Sequence, residues 1–113
     1  MSDPHSSYLE AVAPEARARL EAIRAEAEAR VPGAERCIAY QLPALRKGVV
    51  FFYFAAFKKH IGIYPPVQGP AALVEELGPW RGPKGNLSFP FDQPLPLELI
   101  GRVAEALAAQ YAK

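Results

Sequence analysis

The side chains best suited to hold a ligand lie between positions 40 and 84. They are two tyrosines, two lysines and one histidine: Tyr40, Tyr64, Lys58, Lys84 and His60. If they meet at one sheet edge, they could bind an anionic small molecule through charge-assisted hydrogen bonds. From position 36 to position 84, seven basic residues minus two acidic ones leave a local charge of +5, in a chain whose net charge is +1. The alternative is that the lysines are the ordinary solvated ends of a hairpin.

Catalysis and histidine-based metal binding receive less support from the sequence. His60 is one of two histidines, and we expect the other, His5, on a mobile N-terminal tail, which excludes a multi-histidine site. Cys37 and His60 could form a thiolate pair, but a free cysteine in a strand is more often a small buried hydrophobe. His60 could also act as a general base, although the sequence indicates no partner for it. Because no Gly-rich phosphate loop, HExxH, GxSxG or paired CxxC motif occurs, we expect a non-enzymatic protein.

Length and composition indicate one small domain. The 113 residues are 50% hydrophobic and 22% charged, a balance typical of a globular domain spanning residues 1–113. The net charge is too close to neutral to predict nucleic-acid binding. The longest apolar run, Val49–Phe57, is too short for a membrane span, which needs about 20 residues. With one cysteine and no signal-peptide pattern, we expect a cytoplasmic protein without an intrachain disulfide.

Hydrophobic periodicity and turn residues predict which elements position these side chains. Pro14 is typical of a first helical residue, and an apolar stripe at helical spacing follows it. The predicted strands are apolar runs bounded by turn residues. In order, the predicted elements are a helical turn at Ser6–Val12, a helix at Pro14–Arg30, strands at Cys37–Leu45, Val49–Phe57 and His60–Tyr64, a short helix after Gly69-Pro70, a strand at Leu87–Phe89 and a helix at Pro96–Tyr111. Within the first strand, Pro43 predicts an edge, a bend or a bulge.

These elements predict an α+β fold. Strands joined by hairpins form an antiparallel sheet. Two long helices at the ends of the chain most simply pack side by side on one face of that sheet, with the short helix inserted between strands.

The strand Val49–Phe57 is apolar at every position, so both of its faces should be covered. The terminal helices cover one face. The other face could be covered by the segment Gly69–Asn86 with Trp80, by a second subunit or by a ligand. We expect the segment with Trp80 to cover it, because loops and short helices usually close small cores.

Four parts of the sequence resemble the YdhG-like domain family. They are Tyr40-x-x-Pro43, the segment Tyr53–Pro65, Lys84-Gly85-x-Leu87-x-Phe89-Pro90, and Pro94-x-Pro96-x-x-Leu99-Ile100. The resemblance implies a fold similar to frataxin, a sandwich of two terminal helices on an antiparallel sheet. The family is largely of unknown function, and one member is described as an intracellular iron chaperone.

Two functions follow as hypotheses. The resemblance implies a binding or chaperone protein with iron as cargo, although the first helix interleaves its glutamates with arginines and its metal ligands remain unassigned. No resident cofactor is predicted. The alternative is a small-molecule or anion-binding module at the sheet edge, with its ligand held by Tyr40, Pro43, Lys58, His60, Tyr64 and Lys84. A homodimer through the outward sheet face is compatible with either hypothesis.

Overall fold

The computed structural model describes residues 4–64, 66–83 and 85–111. Four α-helices, one 3₁₀ turn and five strands occur in these ranges. In chain order the elements are α1 (Ser6–Ala11), α2 (Pro14–Arg30), β1 (Glu35–Ala39), β2 (Leu42–Lys47), β3 (Val49–Ala56), β4 (His60–Tyr64), α3 (Ala71–Glu76), the 3₁₀ turn (Gly78–Trp80), β5 (Leu87–Pro90) and α4 (Leu97–Tyr111). Within the described ranges, no helix combines the length and the apolar character that crossing a bilayer requires.

The five strands form one antiparallel sheet in the order β1-β2-β3-β4-β5. Helices α2 and α4 pack against each other and against β3. Leu20 and Ile23 of α2, and Ile100 and Leu107 of α4, are fully buried in the core. The α+β fold predicted from the sequence, an antiparallel sheet with the long helices packed against it, is therefore confirmed.

The predicted strand Cys37–Leu45 is two strands, and that prediction was wrong. β1 ends at Ala39 and β2 begins at Leu42, leaving a two-residue hairpin loop. Tyr40 and Gln41 form this loop with φ values of 53° and 64°. Such loops usually carry Asn-Gly or Asp-Gly. The Tyr-Gln pair therefore gives no sequence signal for a turn.

The alternation of side chains between the two faces of β3 breaks at one position. The pairing passes from Leu45–Phe52 to Arg46–Val50, which leaves Phe51 without an opposite residue. This is a β-bulge, in which the extra residue locally breaks the alternation of side chains. Phe51 is fully buried in the same core as Phe52, so the bulge removes one large apolar residue from the outer face of the sheet.

The outward face of the sheet is not covered in the way we expected. Trp80 packs against Phe89, with the ring centroids 5.7 Å apart. Phe89 lies opposite Ile61, and both residues are buried in the core beneath the helices. Trp80 therefore covers the helix side of the sheet near β5, and Tyr53 on the other side stays half-buried.

The N-terminal segment is anchored, and the expectation that His5 lies on a mobile tail was wrong. His5 is fully buried, and its Nε2 lies 3.0 Å from the carbonyl oxygens of Cys37 and Ala44. Its Nδ1 lies 3.3 Å from Nη1 of Arg24. The segment before α2 therefore joins that helix to the β1–β2 hairpin.

Candidate functional site

Three tyrosines gather on the sheet face that the helices leave open. Tyr53 of β3 lies directly opposite Tyr64 of β4, and opposed residues of antiparallel strands point to the same side. Tyr40 reaches this face from the β1–β2 turn, with its ring centroid 6.0 Å from that of Tyr53. Together with Leu42 they line a surface depression of about 320 Å³, which we call the tyrosine groove.

Small residues lie on the same face of the sheet as the tyrosines. Ala44 of β2 lies opposite Tyr53, and Gly62 of β4 lies opposite Ala55. All three of these small residues are buried, so the larger side chains of this face cover them. The lining of the groove consists of three tyrosines and one leucine, a surface suited to an apolar, flat ligand.

The phenol of Tyr53 is held in its neutral form at physiological pH. Burial raises its pKa above the ordinary value of 10.0, and charge–charge interactions with Tyr40 and Cys37 shift the pKa in the same direction. An ionised phenolate is accordingly not part of the groove near neutral pH.

A second depression adjoins the groove and is more polar. It also measures about 320 Å³, and we call it the polar cleft. It is lined by His60, Tyr64, Gly82, Pro83, Asn86, Leu87 and Ser88. The imidazole, phenol, amide and hydroxyl groups among these residues can all donate hydrogen bonds. Among the described residues, neither the groove nor the cleft has an aspartate or glutamate in its lining.

The side chains of Phe57 and Tyr64 lie close to the backbone of Gly62. Phe57 stacks on His60, with the centroids 4.9 Å apart and the rings within 19° of parallel. A Cβ atom placed on Gly62 would lie 2.8 Å from both the Phe57 ring and the Tyr64 hydroxyl oxygen. Glycine is therefore required for Phe57 and Tyr64 to approach the strand this closely at position 62.

The predicted binding residues fall in different places. Tyr40 and Tyr64 line the tyrosine groove, and His60 joins Tyr64 in the polar cleft. Lys58 lies in a separate depression with Lys59 and Asp92. Two further residues stand apart. Pro43 is buried within β2, one position away from the outward-facing Ala44, and Lys84 lies outside the described residues.

The cysteine–histidine pair considered above is not assembled. Cys37 lies on β1 and His60 on β4, with β2 and β3 between them. Three inter-strand spacings place their backbones roughly 14 Å apart. Burial raises the pKa of the Cys37 thiol, an effect opposed by Arg46 and supported by Glu35, so the thiol is less ionised than an ordinary cysteine.

Seven further lining residues were not among the predicted binding residues: Leu42, Tyr53, Gly82, Pro83, Asn86, Leu87 and Ser88. Tyr53 carried a detectable signal, since it is the one hydroxyl-bearing side chain in the apolar run Val49–Phe57. Leu42 could not be found without the hairpin turn that precedes it.

Several acidic side chains of the described residues form ion pairs. Nε of Arg30 lies 2.9 Å from Oε2 of Glu26, four residues earlier in α2, and Arg36 binds Glu28 at 2.7 Å. Arg19 instead donates to the backbone carbonyls of Phe91 and Gln93. Within the described part of the chain, no three His, Cys, Asp or Glu side chains come together as a metal site would require.

The fold and site define an α+β domain with one open sheet face that carries an aromatic groove. Neither a family model nor a curated protein matches the sequence. A similar solved structure is that of YdhG from Bacillus subtilis, a protein of the DUF1801 family, with a TM-score of 0.77 and 19% sequence identity. The match covers 96% of this chain and 90% of that one. It shows the shared fold and agrees, at that level, with the resemblance to the YdhG-like family found in the sequence.

Proposed function

We propose that this chain is a non-enzymatic binding module for a small molecule with a flat apolar body and a hydrogen-bond-accepting end. The flat body would lie in the tyrosine groove, between Tyr40, Tyr53 and Tyr64. The accepting end would lie in the polar cleft, near His60, where hydrogen-bond donors converge.

One observation carries this proposal: Tyr64 lines both depressions. The apolar surface and the hydrogen-bond donors are therefore neighbours on one face and can act on the same molecule. A mostly apolar site with a few convergent polar groups is the usual form of a small-molecule site. Each depression, at about 320 Å³, lies at the lower end of the range of about 300–1,000 Å³ that such sites occupy.

Charge supports an accepting or anionic end rather than a cationic one. The polar cleft has no carboxylate among its described lining residues. Hydrogen-bond donors in a cleft whose described lining lacks a carboxylate favour a carboxylate or a similar accepting group on the ligand.

The test is a titration of the ¹⁵N-labelled chain, followed by NMR, with three probes of matched size. We expect 2-naphthoate to shift resonances of β3 and β4 saturably, 2-naphthamide to bind more weakly, and decahydro-2-naphthoate, which has two puckered rings, not to saturate. Tyr64→Ala should weaken naphthoate binding about tenfold, because one aromatic contact with its buried area contributes about 1.4 kcal/mol.

Lys58→Ala is the matched control, since Lys58 lines a different depression, and its affinity should equal that of the wild type. The proposal fails if 2-naphthoate produces no saturable shifts on β3 and β4. It also fails if Tyr64→Ala binds as tightly as the wild type, or if Lys58→Ala loses the binding instead.

Iron as cargo is a separate proposal, supported by the family resemblance. Anaerobic calorimetry with ferrous iron tests it directly. Saturable heat that disappears when exposed acidic residues such as Glu75 and Glu76 are neutralised would support an iron carrier, and the absence of heat would contradict it. A homodimer through the outward face would cover the tyrosine groove, so light scattering with and without 2-naphthoate distinguishes a dimer from a ligand-filled monomer.

A further inference from the structure

The turn between β1 and β2 has a conformation that its residues disfavour. Tyr40 and Gln41 both have positive φ, 53° and 64°. A two-residue loop with two positive φ values is a type I′ turn, whose twist matches the flanking strands. Asparagine followed by glycine meets that requirement with little strain, whereas a bulky side chain in the left-handed region is uncommon and destabilising.

Burial does not compensate for this strain at Tyr40. The side chain is 86% exposed, so the hydrophobic effect contributes little to holding it in place. Its ring nevertheless lies over the tyrosine groove, 6.0 Å from Tyr53 and inclined to it by 42°. The ring thus forms one wall of the depression, and its high exposure leaves it accessible to a ligand there.

Strained residues that the fold retains cluster at ligand-binding sites. We infer that Tyr40 is the specificity-determining wall of the tyrosine groove, held at the hairpin tip so that its ring stacks on the flat body of the ligand. This inference rests on the proposed function. It adds that the strained turn lowers the stability of the hairpin and that this strain is retained because it places the Tyr40 ring at the groove.

The experiment separates turn strain from ligand contact with three variants. Gln41→Gly relieves the strain at the second turn position and changes no groove residue, so it should raise Tm by roughly 4 °C and leave the affinity for 2-naphthoate unchanged. In the Gln41→Gly variant, the further change Tyr40→Asn creates the favoured Asn-Gly turn but removes the ring. It should weaken binding of 2-naphthoate about tenfold. Tyr40→Phe on the same background keeps the ring and should retain the affinity of Gln41→Gly.

The outcomes are distinguishable. If Gln41→Gly lowers Tm, or if Tyr40→Asn binds 2-naphthoate as tightly as its Gln41→Gly parent, the inference about Tyr40 is overturned. If the inference about Tyr40 is overturned but Tyr64→Ala still weakens binding of 2-naphthoate, the proposed function stands without a role for Tyr40. If the wild-type chain does not bind 2-naphthoate, the proposed function fails first, and the role of Tyr40 fails with it.

Discussion

The two faces of the sheet use aromatic residues in different ways, although the residues are neighbours in sequence. On the helix side, Phe52 and Phe54 are fully buried. On the open side, Tyr53 is half-buried, and Phe57 and Tyr40 are 42% and 86% exposed. Successive residues of one strand therefore serve a closed core and an open surface.

The comparison shows that apolar character alone does not identify a core. The helix side carries phenylalanines and aliphatic residues that need no hydrogen-bond partner. The open side carries tyrosines, whose hydroxyl groups tolerate water while their rings offer contact area. An aromatic surface of this kind suits a binding site better than it suits a covered layer.

The largest predicted effect is on the free energy of unfolding, and it differs between two adjacent residues of β3, Phe54 and Tyr53. Phe54→Ala should reduce the free energy of unfolding by about 3–5 kcal/mol, because it opens a cavity in the core. Tyr53→Ala should reduce it by about 1.5 kcal/mol, because it removes a half-exposed ring. Urea unfolding monitored by circular dichroism measures both, and equal losses would show that the open face is covered as completely as the helix side.

A second prediction concerns the junction between the N-terminal segment and the hairpin. His5→Ala removes the contacts of Nε2 with two carbonyl oxygens and should reduce the free energy of unfolding by about 1–3 kcal/mol. Ser7→Ala, at an exposed position of the adjacent helix α1, is the control and should change the stability little. A wild-type stability for His5→Ala would contradict the anchoring of this segment.

The smallest predicted effect depends on pH and concerns the ion pair between Glu76 of α3 and Arg102 of α4. Hydrogen bonds from Arg102 lower the pKa of Glu76 below its ordinary value of 4.5, and the charge of Arg102 acts in the same direction. A carboxyl group with a lowered folded-state pKa stabilises the fold above its unfolded pKa, and this contribution is lost as pH falls through the folded value.

Glu76→Gln should therefore unfold at a slightly lower urea concentration than the wild type at pH 7, and the difference should vanish in acid. The effect is small because both side chains are partly exposed. Glu75→Gln removes an equal charge without breaking the Arg102 hydrogen bonds, so it should lack this pH-dependent difference. A gap that widens in acid would contradict the prediction.

Much of the architecture could be predicted from local patterns. Pro14 and the helical stripe predicted α2, and the last amphipathic pattern predicted α4, which spans Leu97–Tyr111 in the structure. Two features of the site could not be predicted. Tyr40-Gln41 lacks the usual residues of a hairpin turn, and the bulge at Phe51 depends on pairing between β2 and β3 rather than on β3 itself.

The sequence by itself determined the α+β class, the antiparallel strands and the apolar character of Val49–Phe57, because periodicity and turn residues act over short distances. Only the tertiary structure decided which face of that strand stays open. The bulge turns Phe51 into the core, Trp80 packs on the helix side, and the turn brings Tyr40 beside Tyr53. These features depend on strand register and on contacts between distant segments, which no local pattern encodes.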